Sequence, residues 1–328
     1  MIKQIHEGFT VDLRLDEEWI SRSLATDIRT GITKTKKSLP PKWFYDELGS
    51  ELFDKITQLN EYYPTEAERE ILNIQAAKIA EISEADHLIE LGSGSSDKTR
   101  SILDAFASSN QLDSFTAFDV SEEILLSSAK QIKQRYPDVN VRAIVGDFDH
   151  HLDAVPQTGK RLFIFLGGTI GNFEPEARQR FLSSLTSQLK TGDSLLLGTD
   201  LVKEIPRLEL AYNDPDGVTA AFNKNILSVL NKNLGANFDI EKFDHVARFD
   251  TDREWIDIGL RSRSDQEIYI ERLHLMVNFL ENEIMRTEIS AKFRPEGIEQ
   301  ELTAAGLKIQ NFWTDSANDF AVTLSTLA

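Results

Sequence analysis

His87-Leu88-Ile89-Glu90-Leu91, running straight into Gly92-Ser93-Gly94-Ser95-Ser96-Asp97-Lys98-Thr99, is the stretch on which the fold turns. A short apolar run meets a glycine-bearing loop and then a helical stretch, the junction of a strand with the helix that follows it. Downstream, Phe115–Asp119, Val141–Gly146, Arg161–Leu166 and Ser194–Gly198 repeat the apolar run, with helical stretches between them. The helix after Asp119 is the plainest. Ser121 is placed to cap it, and Glu122 and Glu123 suit its positive end. Ile124, Leu125, Ala129 and Ile132 share one face, and Pro137 follows. Strands alternating with helices at this spacing predict a doubly wound parallel sheet, and the unbroken run Leu162–Leu166 fits a central strand buried on both faces.

The rhythm breaks between 202 and 292, where a long helical segment near Ala220–Leu234 is followed by alternating strands such as Ile268–Phe279. It resumes with a helix over Pro295–Gly306 and strands over Leu307–Trp313 and Phe320–Leu327. The first 66 residues are of another kind: polar helical stretches, the loop Ser38-Leu39-Pro40-Pro41, and an aromatic-rich run from Trp43 to Tyr63. The expectation is an α/β sheet domain of residues 67–201 and 293–328, with a smaller α+β domain of 1–66 and 202–292. A length of 328 residues agrees with two domains at roughly 150 residues each.

Composition narrows the class. Hydrophobic residues make up 41% and charged residues 27%, enough for a core. The net charge of −18 would repel a phosphate backbone, so no nucleic-acid partner is expected. The absence of cysteine excludes disulfides, a thiolate nucleophile and Cys-ligated zinc. The first thirty residues lack the apolar segment of a signal peptide, and no apolar run reaches the roughly 18 residues of a membrane span. A soluble, acidic, cytoplasmic protein is expected, with no membrane partner. The oligomeric state is left open, a monomer being sufficient.

The glycine loop admits three ligand readings. A dinucleotide fingerprint needs a third glycine at position 97, and a P-loop, which matches at Gly92, Lys98 and Thr99, needs one there too. Asp97 spoils both, because a carboxylate in a phosphate cradle repels its ligand. S-adenosylmethionine carries no phosphate and needs only close backbone approach, which Gly92 and Gly94 permit. Asp119, at the end of the second strand, can accept both ribose hydroxyls. Asp147 and Phe148, at the end of the third, suit an adenine amino group and ring face. Against this stands the plain reading of exposed strand-end loop acids; three strand ends in order favour the cofactor.

The residues then carry a resemblance. Lys37–Tyr45, Glu61–Thr65, Leu91–Arg100, Gly146–Phe148, Gly168–Asn172, Gly198–Lys203, Gly217–Asn223 and Lys292–Glu296 run in order across nearly the whole chain. Together they resemble the ergothioneine-pathway histidine Nα-methyltransferases, which make trimethylhistidine (hercynine). The resemblance implies a Rossmann-like methyltransferase sheet that binds S-adenosylmethionine and a substrate-recognition domain built from the N-terminus and the insertion. It puts Gly92, Lys98, Asp119, Asp147 and Phe148 on the cofactor. It puts Tyr62, Asn172, Tyr212, Glu288 and Ser290 on L-histidine, with Phe53 and Tyr45 nearby and Tyr45 within reach of the amine.

Those implied residues suit the substrate. Asn172 and the Tyr212 hydroxyl can hold an amino-acid head group. Glu288 and Ser290, two apart, face the same way on a strand and can grip the imidazole nitrogens with Tyr62, while Phe53 offers a ring face. Each could equally be an ordinary core, rim or solvated residue. One departure stands out: the family pattern has methionine where this chain has Ile258, on the expected pocket wall, and a β-branched side chain there changes shape more than polarity. Two rival readings follow, an Nα-methyltransferase of tryptophan or a prenylated tryptophan, with Glu288 as the discriminating residue, and a non-catalytic interaction protein that keeps the fold. His150-His151 among Asp147, Asp149 and Asp153 looks metal-like, but adjacent histidines diverge, and no metal is expected.

Overall fold

The computed structural model describes residues 2–6, 8–94, 96 and 98–328. They fall into two compact units, Met1–Leu15, Pro64–Val202 and Lys292–Ala328 in the first, Asp16–Tyr63 and Lys203–Ala291 in the second. In chain order the first unit begins with β1 (Ile2–His6), β2 (Phe9–Leu13), β3 (His87–Leu91), β4 (Ser114–Asp119), β5 (Asn140–Val145), β6 (Arg161–Phe165) and β7 (Ser194–Asp200). The second unit supplies β8 (Phe243–Asp250), β9 (Trp255–Ser262), β10 (Gln266–Ile270), β11 (Leu275–Phe279) and β12 (Ile284–Ala291). The first closes with β13 (Leu307–Thr314) and β14 (Phe320–Leu327).

Among the described residues the first unit is a single nine-stranded sheet of order β1-β2-β5-β4-β3-β6-β7-β14-β13. Every residue of β3, β6 and β7 is buried, as strands covered on both faces require. From β2 to β7 all neighbours run parallel. The chain winds outward from β3 through β4 to β5, then returns to the other side of β3 for β6 and β7. That reversal opens a crevice at the carboxyl ends of the strands, where such sheets bind ligands. One strand departs from the expected parallel arrangement: β14 lies antiparallel between β7 and β13, so that β13 runs with β7 again. The connection explains it, since only a short turn joins β13 to β14, tied by Asp315 Oδ1, which accepts from the N–H groups of Asp319 (2.8 Å) and Phe320 (2.7 Å). A turn this short can only reverse direction.

The N-terminus also differs from expectation. Residues 1–66 do not fall whole in the smaller domain: β2 extends the sheet edge in parallel beside β5, and β1 folds back on β2. Phe9 and Val11 are buried, and Asp12, fully buried, is held by Arg14 at 2.8 Å. Phe9, Val11 and Leu13 alternate with Thr10 and Asp12 at the strand period, but over only five residues, too short a run to stand out from the polar helical stretch that follows.

In the second unit β12, β9 and β8 form an antiparallel sheet, and β10 and β11 a separate ribbon. The expected strands over 268–279 are this ribbon, broken by a turn at Glu271–Leu273 with His274 in the left-handed region. The helix Val218–Leu234 buries Phe222, Ile226, Leu227 and Leu230 in a core shared with Phe44, Phe243, Phe279 and Met285. Asp16 caps the helix Glu17–Ile32, accepting from Trp19 N at 2.6 Å. No helix among the described residues is long and apolar enough to cross a membrane.

Candidate functional site

In the sheet unit the expected cofactor residues gather at the strand ends beside the reversal. Gly92 and Gly94 have φ of +67° and +48°, and a Cβ built on either would meet nothing within 4 Å. Their backbone therefore presents an open surface in a conformation that other residues adopt only under strain. Asp97, on which the exclusion of phosphate ligands rests, lies outside the described residues, as does Ser95.

The loop is anchored from beneath by a residue that sequence reasoning passed over. Glu90, buried in β3, accepts hydrogen bonds from the hydroxyls of Ser93 (2.5 Å), Ser96 (2.8 Å) and Thr99. Burial pushes its carboxyl above the usual range, while those three hydroxyls and Lys98 pull the other way. A charged residue inside an otherwise apolar strand was the available signal. Glu68 was missed as well. Wholly buried on the helix Pro64–Ser83, it pairs with Lys98 and accepts from Gly167 N at 2.8 Å. Nothing in the sequence sets it apart from its neighbour Glu66.

Asp119 ends β4 with both carboxylate oxygens already oriented: one accepts from Gly94 N and the other from Ser121 N, each at 2.9 Å. Burial raises its carboxyl above the ordinary value against the pull of these N–H groups and that of Val120. The bond to Ser121 also corrects an expectation, because Ser121 stands at the helix N-cap but its own side chain makes no capping bond. Asp147 caps the short helix Phe148–His151, its Oδ1 accepting from Asp149 N at 2.9 Å. Phe148 is half-buried against Phe165, Phe173 and Phe181 at centroid distances of 5.4–6.2 Å. An open glycine backbone, a fixed acid and a supported aromatic ring suit the uncharged ribose and adenine of S-adenosylmethionine. Asn172 stands in this unit too, at the end of the turn Thr169–Asn172, which starts from Gly168 at φ +67°.

In the second unit the aromatic residues form a chain of edge contacts. Tyr45 meets Phe53 (5.6 Å), Phe53 meets Tyr62 (6.5 Å) and Tyr62 meets Tyr212 (6.0 Å). The Tyr212 hydroxyl hydrogen-bonds Ser290 Oγ at 2.7 Å, which joins two residues that had been assigned to opposite ends of a substrate. Glu288 and Ser290 follow a β-bulge in β12 and stand opposite Ile258 and Ile256 of β9, so the four share a face. Ile256 and Ile258 pack with Tyr63, Leu208, Ala211, Tyr212 and Ala247, and Tyr62 lies against that cluster. Among the described residues no group of three or more His, Asp or Glu could hold a metal ion.

A parallel sheet that reverses at β3, with an antiparallel strand beside β7 and an open glycine loop at the reversal, fits an S-adenosylmethionine-dependent methyltransferase, and the sequence family shows that class. The chain belongs to the histidine-specific, S-adenosylmethionine-dependent methyltransferase family, whose model matches residues 24–327. It is 50% identical over 303 residues to Histidine N-alpha-methyltransferase of Mycobacterium tuberculosis (strain CDC 1551 / Oshkosh), covering 92% of this chain and 94% of that protein. It is also 50% identical over 305 residues to the protein of that name from Mycolicibacterium smegmatis, covering 93% and 95%. Ergothioneine biosynthesis protein 1 of Schizosaccharomyces pombe is 35% identical over 226 residues, which is 65% of this chain and 29% of that protein.

Proposed function

We propose that this chain methylates the α-amine of free L-histidine three times to give hercynine, as a step of ergothioneine biosynthesis. Family membership supports the reaction, and the observation that carries the substrate is Glu288 and Ser290 on one face of β12, with Ser290 bonded to Tyr212. An imidazole has two ring nitrogens, and a carboxylate with a hydroxyl can satisfy both at once. S-adenosylmethionine, when bound, supplies the electrophilic methyl.

The chain's residues have the remaining tasks. Gly92, Lys98, Asp119, Asp147 and Phe148 hold the cofactor, Lys98 through its place beside Glu68. Asn172 and Tyr212 hold the amino-acid head group, and Phe53 and Tyr62 flank the ring. A free amine is mostly protonated at neutral pH, so the site must select the neutral form or release its proton to water. Tyr45 hydrogen-bonds the amine; alignment of the lone pair, rather than covalent help, supplies most of the acceleration. The proposed reaction is cytoplasmic and needs no metal or membrane, and a net charge of −18 disfavours a nucleic-acid partner.

The test is a mass measurement on L-histidine incubated with the protein and S-adenosylmethionine, against a panel of free amino acids. A gain of three methyl groups on histidine is the expected result. Methylation of tryptophan in preference to histidine would transfer the assignment to the tryptophan enzymes, and no methylation of any amino acid would leave a fold-retaining binding protein.

A further inference from the structure

Behind Tyr212 and Glu288 lies a buried polar chain that no substrate role uses. Asn223, on the helix Val218–Leu234, donates through Nδ2 to the Gly259 carbonyl (2.9 Å) and to His245 Nδ1 (2.8 Å). Its Oδ1 accepts from the Thr287 hydroxyl at 2.6 Å. The Gly259 carbonyl can only accept, so the Asn223 amide has one orientation, and His245 Nδ1 must present its lone pair. The proton of His245 therefore sits on Nε2, which donates to the Tyr212 carbonyl at 2.8 Å. Thr287 is the residue bulged out of register between Arg286 and Glu288, and it is fully buried. Bulges re-aim the side chains that follow them, here Glu288 and Ser290.

We propose that Thr287, Asn223 and His245 are positioning residues for histidine. They fix the bulge that aims Glu288 and Ser290 and the backbone that carries Tyr212, and so set affinity for the amino acid without touching it. The inference rests on the substrate reading above. Two observations favour it over a general packing role. The outer hydrogen bonds of the chain end at the candidate substrate face, on Thr287 beside Glu288, on Gly259 beside Ile258 and on Tyr212 itself. The polarity also runs one way, from the Thr287 hydroxyl to the Tyr212 carbonyl, so removing either end leaves its partner unsatisfied.

The test uses paired variants of the full chain. Asn at 245 reproduces the acceptor at Nδ1 and loses the donor to Tyr212, whereas Gln reproduces the donor at Nε2. His245→Asn should raise the histidine KM roughly fivefold, the scale of one lost buried hydrogen bond, with His245→Gln within about twofold of the parent. Thr287→Val should do the same and Thr287→Ser restore it. Binding of S-adenosylhomocysteine, measured by calorimetry, should be unchanged in all four. If His245→Asn does not fold, the Thr287 pair decides. A parent that methylates histidine with both His245→Asn and Thr287→Val at its KM overturns this inference alone; equal loss of cofactor and histidine affinity overturns it too. A parent that leaves histidine unmethylated overturns the functional reading itself.

Discussion

Asp119 has two tasks at once, holding its own loop through Gly94 N and Ser121 N and, in the proposed function, accepting the hydroxyls of a ribose. A charge-assisted hydrogen bond contributes about 1.5–3 kcal/mol, so Asp119→Ala should weaken S-adenosylmethionine by at least roughly tenfold. Calorimetry with circular dichroism as a fold control measures it, and unchanged affinity would remove Asp119 from the site. In the proposed function Glu288 decides the substrate. Indole offers one donor and no acceptor, so a pocket built around Glu288 and Ser290 leaves polar groups unpaired against tryptophan, at about 1–3 kcal/mol each. Histidine should therefore exceed tryptophan by at least roughly tenfold in kcat/KM, and Glu288→Ala should shrink that ratio. Ile258 stands opposite Glu288 across the strand pair, on the wall expected for the proposed pocket. The measured quantity must be a ratio within one protein. Equal turnover of both amino acids by the parent would sink the histidine assignment.

At the scale of the element, the helix Val218–Leu234 carries Asn223, and Asp214 satisfies its first turn by accepting from Val218 N and Thr219 N, each at 2.8 Å. Burial raises the Asp214 carboxyl, but these bonds outweigh it and hold the group below the usual carboxylate value. Asp214→Ala should cost about 0.5–2 kcal/mol of stability, as lost helix caps do, read as a lower urea midpoint. The second loss should be in histidine KM, through Asn223; a variant as stable as the parent would refute the cap. This helix was legible because it buries a periodic apolar face, and the sheet strands because they are short apolar runs between helical stretches: β3 and β14 stand on the residues expected, and β4 to β7 within two of theirs. The bulge at Thr287 was not legible. A one-residue slip depends on what the neighbouring strand and Asn223 offer, and no local pattern in Ile284–Ala291 encodes it. The same limit hid Glu68, whose importance lies wholly in Lys98 and Gly167, thirty and ninety-nine residues away.

Each of the two units contains a histidine bonded at both nitrogens, buried at His87 and half-buried at His245, and this gives the whole molecule a defined response to acid. His87 Nδ1 donates to the Thr158 carbonyl and its Nε2 accepts from the Thr116 hydroxyl (2.8 Å); His245 is bonded at both nitrogens as well. Burial pushes both imidazoles below their ordinary value, outweighing the carbonyls that pull upward. Folded protein therefore keeps them neutral in a range where the unfolded chain, titrating near about 6.5, takes up protons. Their stabilisation is complete above that value and is lost as pH falls from it through the folded pKa, below which it declines no further. Glu90 and Asp119 oppose this, since a carboxyl raised by burial favours the folded state on acidification. The parent's curve is the sum of both, and the histidines are isolated by difference. Gln at 245 keeps the donor to Tyr212 and cannot be protonated. The thermal midpoint of His245→Gln should lie below the parent's at pH 8, and the gap should narrow on descending below about 6.5. The same convergence is expected for His87→Gln. A gap that stays constant from pH 8 to 5 would mean that the imidazoles titrate alike in the folded and unfolded chain, and that burial does not hold them neutral.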